Sequence, residues 1–415
     1  MDNCYQNKNR IVIISGVFYP EPVVSAGLMK DLATELSKDY QVTVLRPKPS
    51  RPMGFSIPDY TYDQFPFEVI ETDSYVHPAS SLIGRGRESY SMGKWCVRYI
   101  EQHHEEICFI YNGPWHMFGR SMVEKSCLKY NIPYITPVQD IYPESLSSKL
   151  PNLPFLKKIV YGLLFPSDKS LLSHAAKIHT ISDKMVDYLS KTRNLPKDHF
   201  FVVRNWQDES TFVKYANEKE DSAKSDVFTF MYLGNVGPLA GIDVLFDAFM
   251  KAELPNARLV IAGSGSAKQH LMDKAKEYSE CNIEFWEVPA GEVPATQDKA
   301  DVMVLPVKKG FAMSSIPSKL PAYMFSAKPV LASVDAESDT ALCIKESDAG
   351  WVAMPEDVES ITVAMKTAYS SSKEELDAKG KRGFDYAINH FSKQKNLLLL
   401  VKECVKVMNN QDNKK

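Results

Sequence analysis

The segment Phe311–Ser333, FAMSSIPSKLPAYMFSAKPVLAS, gathers groups suited to one kind of chemistry. Ser314, Ser315 and Ser318 offer hydroxyls and an N-cap ahead of a short amphipathic run, and Pro317 suits a first helical turn. Lys319 adds a cation where free backbone N–H groups already favour an anion. Backbone donors, hydroxyls and one ammonium in that order can hold a phosphate at a helix N-terminus. The same residues also make an ordinary serine-capped surface helix. The neighbouring elements decide between the two.

Short buried runs alternate with helical spacing along the whole chain. Ile11–Ser15, Gln41–Leu45 and Tyr134–Val138 read as strands in the first half, and Phe228–Leu233, Arg258–Ala262, Val302–Leu305 and Val330–Ala332 in the second. Strand, loop and helix in that alternation predict parallel α/β sheets, which place ligands beyond the carboxyl ends of their strands. A chain of 415 residues exceeds one ordinary core. We therefore expect an α/β protein of two Rossmann-like doubly wound domains facing a central cleft. The first spans residues 1–208, a polar lysine-rich linker 209–226, and the second 227–390. A C-terminal helix within 391–415 would pack back across the domains and end in a loose tail.

Several loops join Lys319 as candidates. Gly16, Ala26 and Gly27 lie in SGVFYPEPVVSAG after the first strand and offer close backbone access, although the loop is not GxGxxG and Arg46, not an acid, follows the second strand. QDIYPES puts Asp140, Tyr142 and Glu144 at the mouth of the first sheet, where Asp140 also fits a turn or cap. ASSLIGRGRESYSM reads as a glycine-broken loop whose Arg85 and Arg87 either meet an anionic acceptor or are simply solvated. His116 follows the strand Cys108–Tyr111. Gly234 and Asn235 in GNVGPLAG, with Gly263 and Gly265 in GSGS, edge the second sheet beside the serine turn. FLKKIVYGLLF, within Leu150–Ser173, reads either as a segment resting on a membrane surface or as part of a packed helix pair.

Composition excludes other classes. A 44% hydrophobic and 24% charged share is that of a soluble globular protein, and a net charge of −3 argues against nucleic-acid binding. The seven cysteines are scattered without CxxC or metal-ligand spacing, which predicts reduced thiols in a cytoplasmic protein and no metal site. No apolar run reaches the ~18 residues of a spanning helix. The polar start followed by IVIISGV is a strand's pattern, not a signal peptide's.

Over nearly its whole length the chain resembles glycosyltransferase family 4 of the GT-B class. The resemblance is carried by VFYPEPVVSAGLMKDLATELS, PVQDIYPES, KIHTISDKM, VVRNW, FMYLGNVG, LVIAGSGS, KADVMVLP and PSKLPAYMFSAKPVLAS. QDIYPES and PSKL look most like the bacterial branch that builds capsule, O-antigen and exopolysaccharide, including N-acetylfucosamine transferases. The resemblance implies a retaining, metal-independent hexosyltransferase. Its nucleotide-sugar, with uracil as the base, is a substrate and no cofactor is involved. The second domain would bind this donor through Gly234, Asn235, Gly263, Gly265, Ser314, Ser315 and Ser318. An acceptor saccharide linked to undecaprenyl diphosphate, at the inner face of the cytoplasmic membrane, would meet Gly16, Ala26, Gly27, Arg85, Arg87, His116 and Glu144. Lys319 would face the diphosphate and Asp140 would orient hydroxyls.

The chain also departs from the pattern. The E-x7-E pair of many members falls on Lys309 and Ala322, and the phosphate-binding Arg and Lys correspond to Asn235 and about Ala240. Phosphate binding would then rest on the serine turn and Lys319, and Glu337 would substitute as the ribose ligand. A nucleotide-sugar 2-epimerase and a non-catalytic sugar-nucleotide-binding subunit remain open alternatives.

Overall fold

The structure, a computed structural model, describes residues 9–51, 56–77, 81–113, 117–149, 154–219, 226–237, 240–278, 282–289, 291–313 and 316–412. The chain forms two compact units. Met1–Asn205 with Asn396–Lys415 makes the first, and Trp206–Lys395 the second.

The first unit is built on a parallel sheet of β1 (Arg10–Ile14), β2 (Gln41–Pro47), β3 (Glu68–Thr72), β4 (Ile107–Asn112), β5 (Tyr134–Val138), β6 (Lys177–Thr180) and β7 (Phe200–Val202). Their order is β3-β2-β1-β4-β5-β6-β7. Ile11, Val12, Ile13 and Ile14 are all fully buried, because a parallel sheet covered on both faces has no polar side to alternate towards. The chain reverses its winding between β1 and β4, so a crevice opens beyond their carboxyl ends.

The second unit repeats the plan with β8 (Phe228–Leu233), β9 (Ala257–Ala262), β10 (Ile283–Trp286), β11 (Val302–Pro306), β12 (Val330–Ser333) and β13 (Gly350–Ala353), ordered β10-β9-β8-β11-β12-β13. Its switch point lies between β8 and β11. The helix Lys319–Phe325 packs Leu320, Tyr323, Met324 and Phe325 into the core beside Met231, Met303 and Val330. Lys319 is thereby fixed at that switch point.

Three local readings change. Residues 209–226 contain a helix, Ser210–Glu218, whose Phe212 is buried against Phe325 and whose Tyr215 donates to Asp298 at 3.2 Å. Phe212 buries although the segment's composition is that of a linker. Arg85 and Arg87 lie inside the helix Leu82–His103, not on a broken loop. Ser81 caps it by accepting from Gly84 N–H. The glycines serve close packing, since a β-carbon on Gly93 would fall 2.8 Å from the backbone of Gly119. FLKKIVYGLLF belongs to one helix, Pro154–His174, and not to a packed pair. Among the described residues no helix is long and apolar enough to cross a membrane.

Candidate functional site

At the switch point of the second sheet, three glycines let backbone loops nest. A β-carbon on Gly263, at φ +118°, would meet the carbonyl oxygen of Gly234 at 2.3 Å, and one on Gly265 would meet that of Val236 at 2.3 Å. Val236 N–H donates to Ser264 O at 2.8 Å, and Ala267 N–H to Val236 O at 3.0 Å, locking the loops after β8 and β9 together. Two tyrosines brace the same loop. The Tyr323 hydroxyl donates to Leu233 O at 2.8 Å and accepts from Leu233 N–H at 3.0 Å, while Tyr232 donates to Asn235 O at 2.6 Å.

Lys319 lies across this cradle. A β-carbon on Gly234 would fall 2.1 Å from Lys319 Cε and 3.3 Å from Nζ, so only glycine leaves room for the lysine stem. The ammonium stands 5.5 Å from the Tyr232 ring centroid, within cation–π reach. Among the described residues no carboxylate pairs with it. Burial pulls its pKa below the usual lysine value. The N–H groups of Gly234, Val236 and Gly263 are already bonded to carbonyls, so it is the half-buried, unpaired ammonium that would attract an anion here.

The other donor candidates divide. Gly234, Asn235, Gly263 and Gly265 come together beneath Lys319, with Asn235 exposed on the loop. Ser314 and Ser315 lie outside the described residues. Ser318 precedes the helix in a helical conformation and its side chain makes no capping bond. The expected serine cap is therefore absent, and Pro317 stands before the helix, where its carbonyl accepts from Leu320 N–H. Glu337 is exposed in the turn after β12.

In the first unit, Asp140 is exposed at the carboxyl end of β5 and has no partner among the described residues. Its neighbour Gln139 accepts from Ser25 at 3.3 Å and donates to Asn205 at 3.4 Å, linking the ends of β1, β5 and β7. Glu144 is not available to an acceptor. Fully buried Arg193 holds it at 2.6 Å, and Tyr188 donates to it at 3.0 Å. Burial opposes its charge, but the Arg193 bonds prevail and hold the carboxyl below its usual range. Arg193 also grips Asp168 at 2.9 Å and donates to Tyr142 O at 2.7 Å, so this network shapes the QDIYPES turn.

Ala26 and Gly27 do not present free donors. Both N–H groups bond to Val23 O, at 3.0 and 3.3 Å. Gly16 is buried, its carbonyl accepting from Arg51. Arg85 pairs with Glu88 at 3.3 Å, and Arg87 covers the Tyr75 ring at 4.5 Å. His116 lies outside the described residues. Among those residues no cluster of three or more His, Cys, Asp or Glu is placed to hold a metal.

Sequence reasoning missed one buried pair entirely. Arg46 and Glu21 meet at 3.0 Å with almost no exposure, and Glu21 also accepts from the N–H groups of Phe18, Ser50 and Arg51. The pair ties the loop after β1 to the loop after β2. Only an acid and a base at two strand ends hinted at it.

Residues 227–371 match the family model described as Glycosyl transferases group 1. The chain is 24% identical over 233 residues to the probable glycosyltransferase WbjE of Pseudomonas aeruginosa, a match covering 54% of this chain and 56% of that protein. It spans about half the length of the curated relatives it matches. In structure it is similar to a glycosyltransferase from Rickettsia africae, at 14% identity and a TM-score of 0.67 over 97% of this chain and 100% of that one. It is also similar to Anabaena Alr3699/HepE solved in complex with UDP, at 11% identity and a TM-score of 0.64 over 96% and 100%. The fold is thus the two-domain α/β fold of GT-B glycosyltransferases, and the match to the glycosyl transferases group 1 model lies within the second unit.

Proposed function

We propose that the chain is a retaining, metal-independent glycosyltransferase of the family 4 type. It would move a sugar from a UDP-linked donor to a saccharide on undecaprenyl diphosphate, in bacterial surface-polysaccharide synthesis. The observation that carries this reading is Lys319, a half-buried cation lying over the glycine cradle of the second unit. Breaking a sugar–phosphate bond leaves negative charge on the nucleoside diphosphate and positive charge on the ring. A donor aimed at the phosphate lowers that barrier. Lys319 takes this role, with the serine turn completing the anion site. Glu337 is the ribose-ligand candidate. Transfer with retention needs no protein nucleophile when the leaving phosphate accepts the acceptor's proton, and Asp140 then orients hydroxyls. The UDP bound by HepE supports the choice of base, and the QDIYPES and PSKL segments support the acceptor class.

The test is calorimetric titration of UDP, GDP, ADP and NAD into the wild type and Lys319→Ala without magnesium. UDP binding that weakens in the variant supports the reading, whereas tight NAD binding or no nucleotide binding overturns it. Donor turnover only with acceptor present supports transfer. An isomer formed without acceptor would instead mean a 2-epimerase, and binding without turnover a non-catalytic subunit.

A further inference from the structure

Among the described residues the two sheets end in the edge strands β3, β7, β10 and β13. Three of these edges are guarded. β3 carries Glu68 and Glu71, β10 carries Glu284, and β7 stops after three residues. Charges and short runs of this kind keep an open row of main-chain groups from pairing with another chain. The fourth edge, β13, reads Gly-Trp-Val-Ala, without charge or proline, and its register with β12 runs without a shift.

The ladder shows which side of β13 is free. Val330 N–H donates to Ala349 O at 2.9 Å and Val334 N–H to Ala353 O at 3.1 Å. Main-chain groups alternate sides along a strand, so those of Ala349, Trp351 and Ala353 face β12. The N–H and C=O of Gly350 and Val352 point the other way and have no partner among the described residues.

These groups open into a cavity of about 700 Å³. The helices Asp339–Ser347 and Val358–Ser370 flank it from opposite faces of the sheet, since Ile344 packs with Val330 and Ala332 while Ala364 packs with Leu331. Ile344 and Lys345 line one rim, Val363 and Thr367 the other. Val363 is 56% exposed, and Met354, just past the strand, 62%.

The spacing of the free groups names the occupant. Gly350 and Val352 stand on either side of Trp351. A two-fold axis at Trp351 therefore sets an antiparallel copy of the strand with Gly350 opposite Val352 of the second copy, and Val352 opposite its Gly350. Each such pair exchanges two hydrogen bonds, so four bonds satisfy the free groups of both strands. Self-complementarity of this kind is what an isologous contact requires. A second copy also brings the same apolar rim, Val363 and Met354, to the contact.

We propose that β13 is an interface between copies of this chain, a two-fold dimer in which the second sheets join edge to edge through Gly350 and Val352.

The experiment is sedimentation velocity of the full chain over a concentration series, for the wild type, Val352→Pro and Val363→Glu. The wild type is expected to pass from monomer to dimer as concentration rises. Proline is tolerated on an edge strand, and at position 352 it deletes a donor that the ladder to β12 does not use. Two of the four bonds are then lost, and the dissociation constant should rise roughly ten- to hundredfold. Val363→Glu sets like charges on the rims of both copies and should raise it as well. Urea unfolding of each variant checks the fold; if Val352→Pro lowers the midpoint, the exposed Val363→Glu carries the test. A wild type that stays monomeric at every concentration overturns the proposal and leaves the groove to an extended peptide. So does a dimer that neither variant weakens, which would put the interface elsewhere.

Discussion

Lys319→Met separates the electrostatic from the structural role of the lysine. Methionine keeps an apolar stem over Gly234 and the Tyr232 ring and deletes the charge. A hydrogen bond to a charged group contributes about 1.5–3 kcal/mol, so UDP affinity should fall roughly 10- to 150-fold. If the ammonium is the main cationic contact of the leaving phosphate, turnover should fall by about one to three orders of magnitude. Without nucleotide the sign reverses. Burial lowers the folded pKa of Lys319 below 10.5, so the folded chain holds this proton less tightly than the unfolded chain. The resulting cost vanishes above pH 10.5 and is fully present once the pH has fallen through the folded pKa. At neutral pH the variant without ligand should therefore melt higher, by roughly 2–4 °C for each kcal/mol recovered. Calorimetry gives the affinity, and scanning calorimetry with and without UDP gives both stabilities. A variant that binds UDP like the wild type, or that melts lower without ligand, would refute the anion-site argument.

Gly263→Ala places a methyl group 2.3 Å from Gly234 O at a φ of +118°, and should cost about 1–3 kcal/mol in urea unfolding and weaken UDP binding. Wild-type affinity in that variant would mean the nested loops do not shape the site. Glu21→Gln leaves Arg46 buried without a carboxylate and should destabilise the chain by about 3–5 kcal/mol, read as a lower urea midpoint. A shift under 1 kcal/mol would show that the pair does not secure the loops it joins. Because Arg193 holds Glu144 below its usual 4.5, the stability this carboxylate adds is present above that pH and is lost as the pH falls through its folded pKa. The gap in urea midpoint between wild type and Glu144→Gln should therefore be open at pH 6 and close towards pH 3; a pH-independent gap would assign the effect to packing.

The sheets were legible because parallel strands covered on both faces leave continuous apolar runs such as Ile11–Ile14 and Val302–Leu305, bounded by glycine and proline. The cradle was legible for a related reason. Glycines at strand ends mark close backbone approach, and Gly234, Gly263 and Gly265 each meet backbone or Lys319 within 2.3 Å of a built β-carbon. What failed depended on pairing across sequence. Glycine 84 and glycine 86 read as helix breakers because their packing partners, His77 and Phe118, are unknowable from spacing. Glu144 read as a free carboxylate because Arg193 lies 49 residues away on another helix. The Tyr323 hydroxyl, which no spacing singled out, secures Leu233 on a strand 90 residues distant.

The same distinction bears on the chemistry. At the strand ends of the first unit most charged groups are already satisfied, since Glu21 is spent on Arg46, Glu144 and Asp168 on Arg193, and Glu88 on Arg51. Asp140 is left exposed and without a partner among the described residues. In the second unit Lys319 is left so, although burial makes an unpaired cation costly. Buried Arg120 also lacks an ion pair among the described residues, but it donates to Thr136 and to Pro137 O; half-buried Lys319 has no carboxylate partner there, a cost that an arriving anion would offset. An acid at position 322, where the pattern the chain resembles would put a glutamate, would stand one helical turn from Lys319 and within reach of it. Position 322 is Ala322, which offers no such partner. It leaves the lysine without a neighbouring carboxylate, so on the proposed reading phosphate recognition would rest on one cation and the backbone around it, and the Lys319 substitution is the most direct test of that reading.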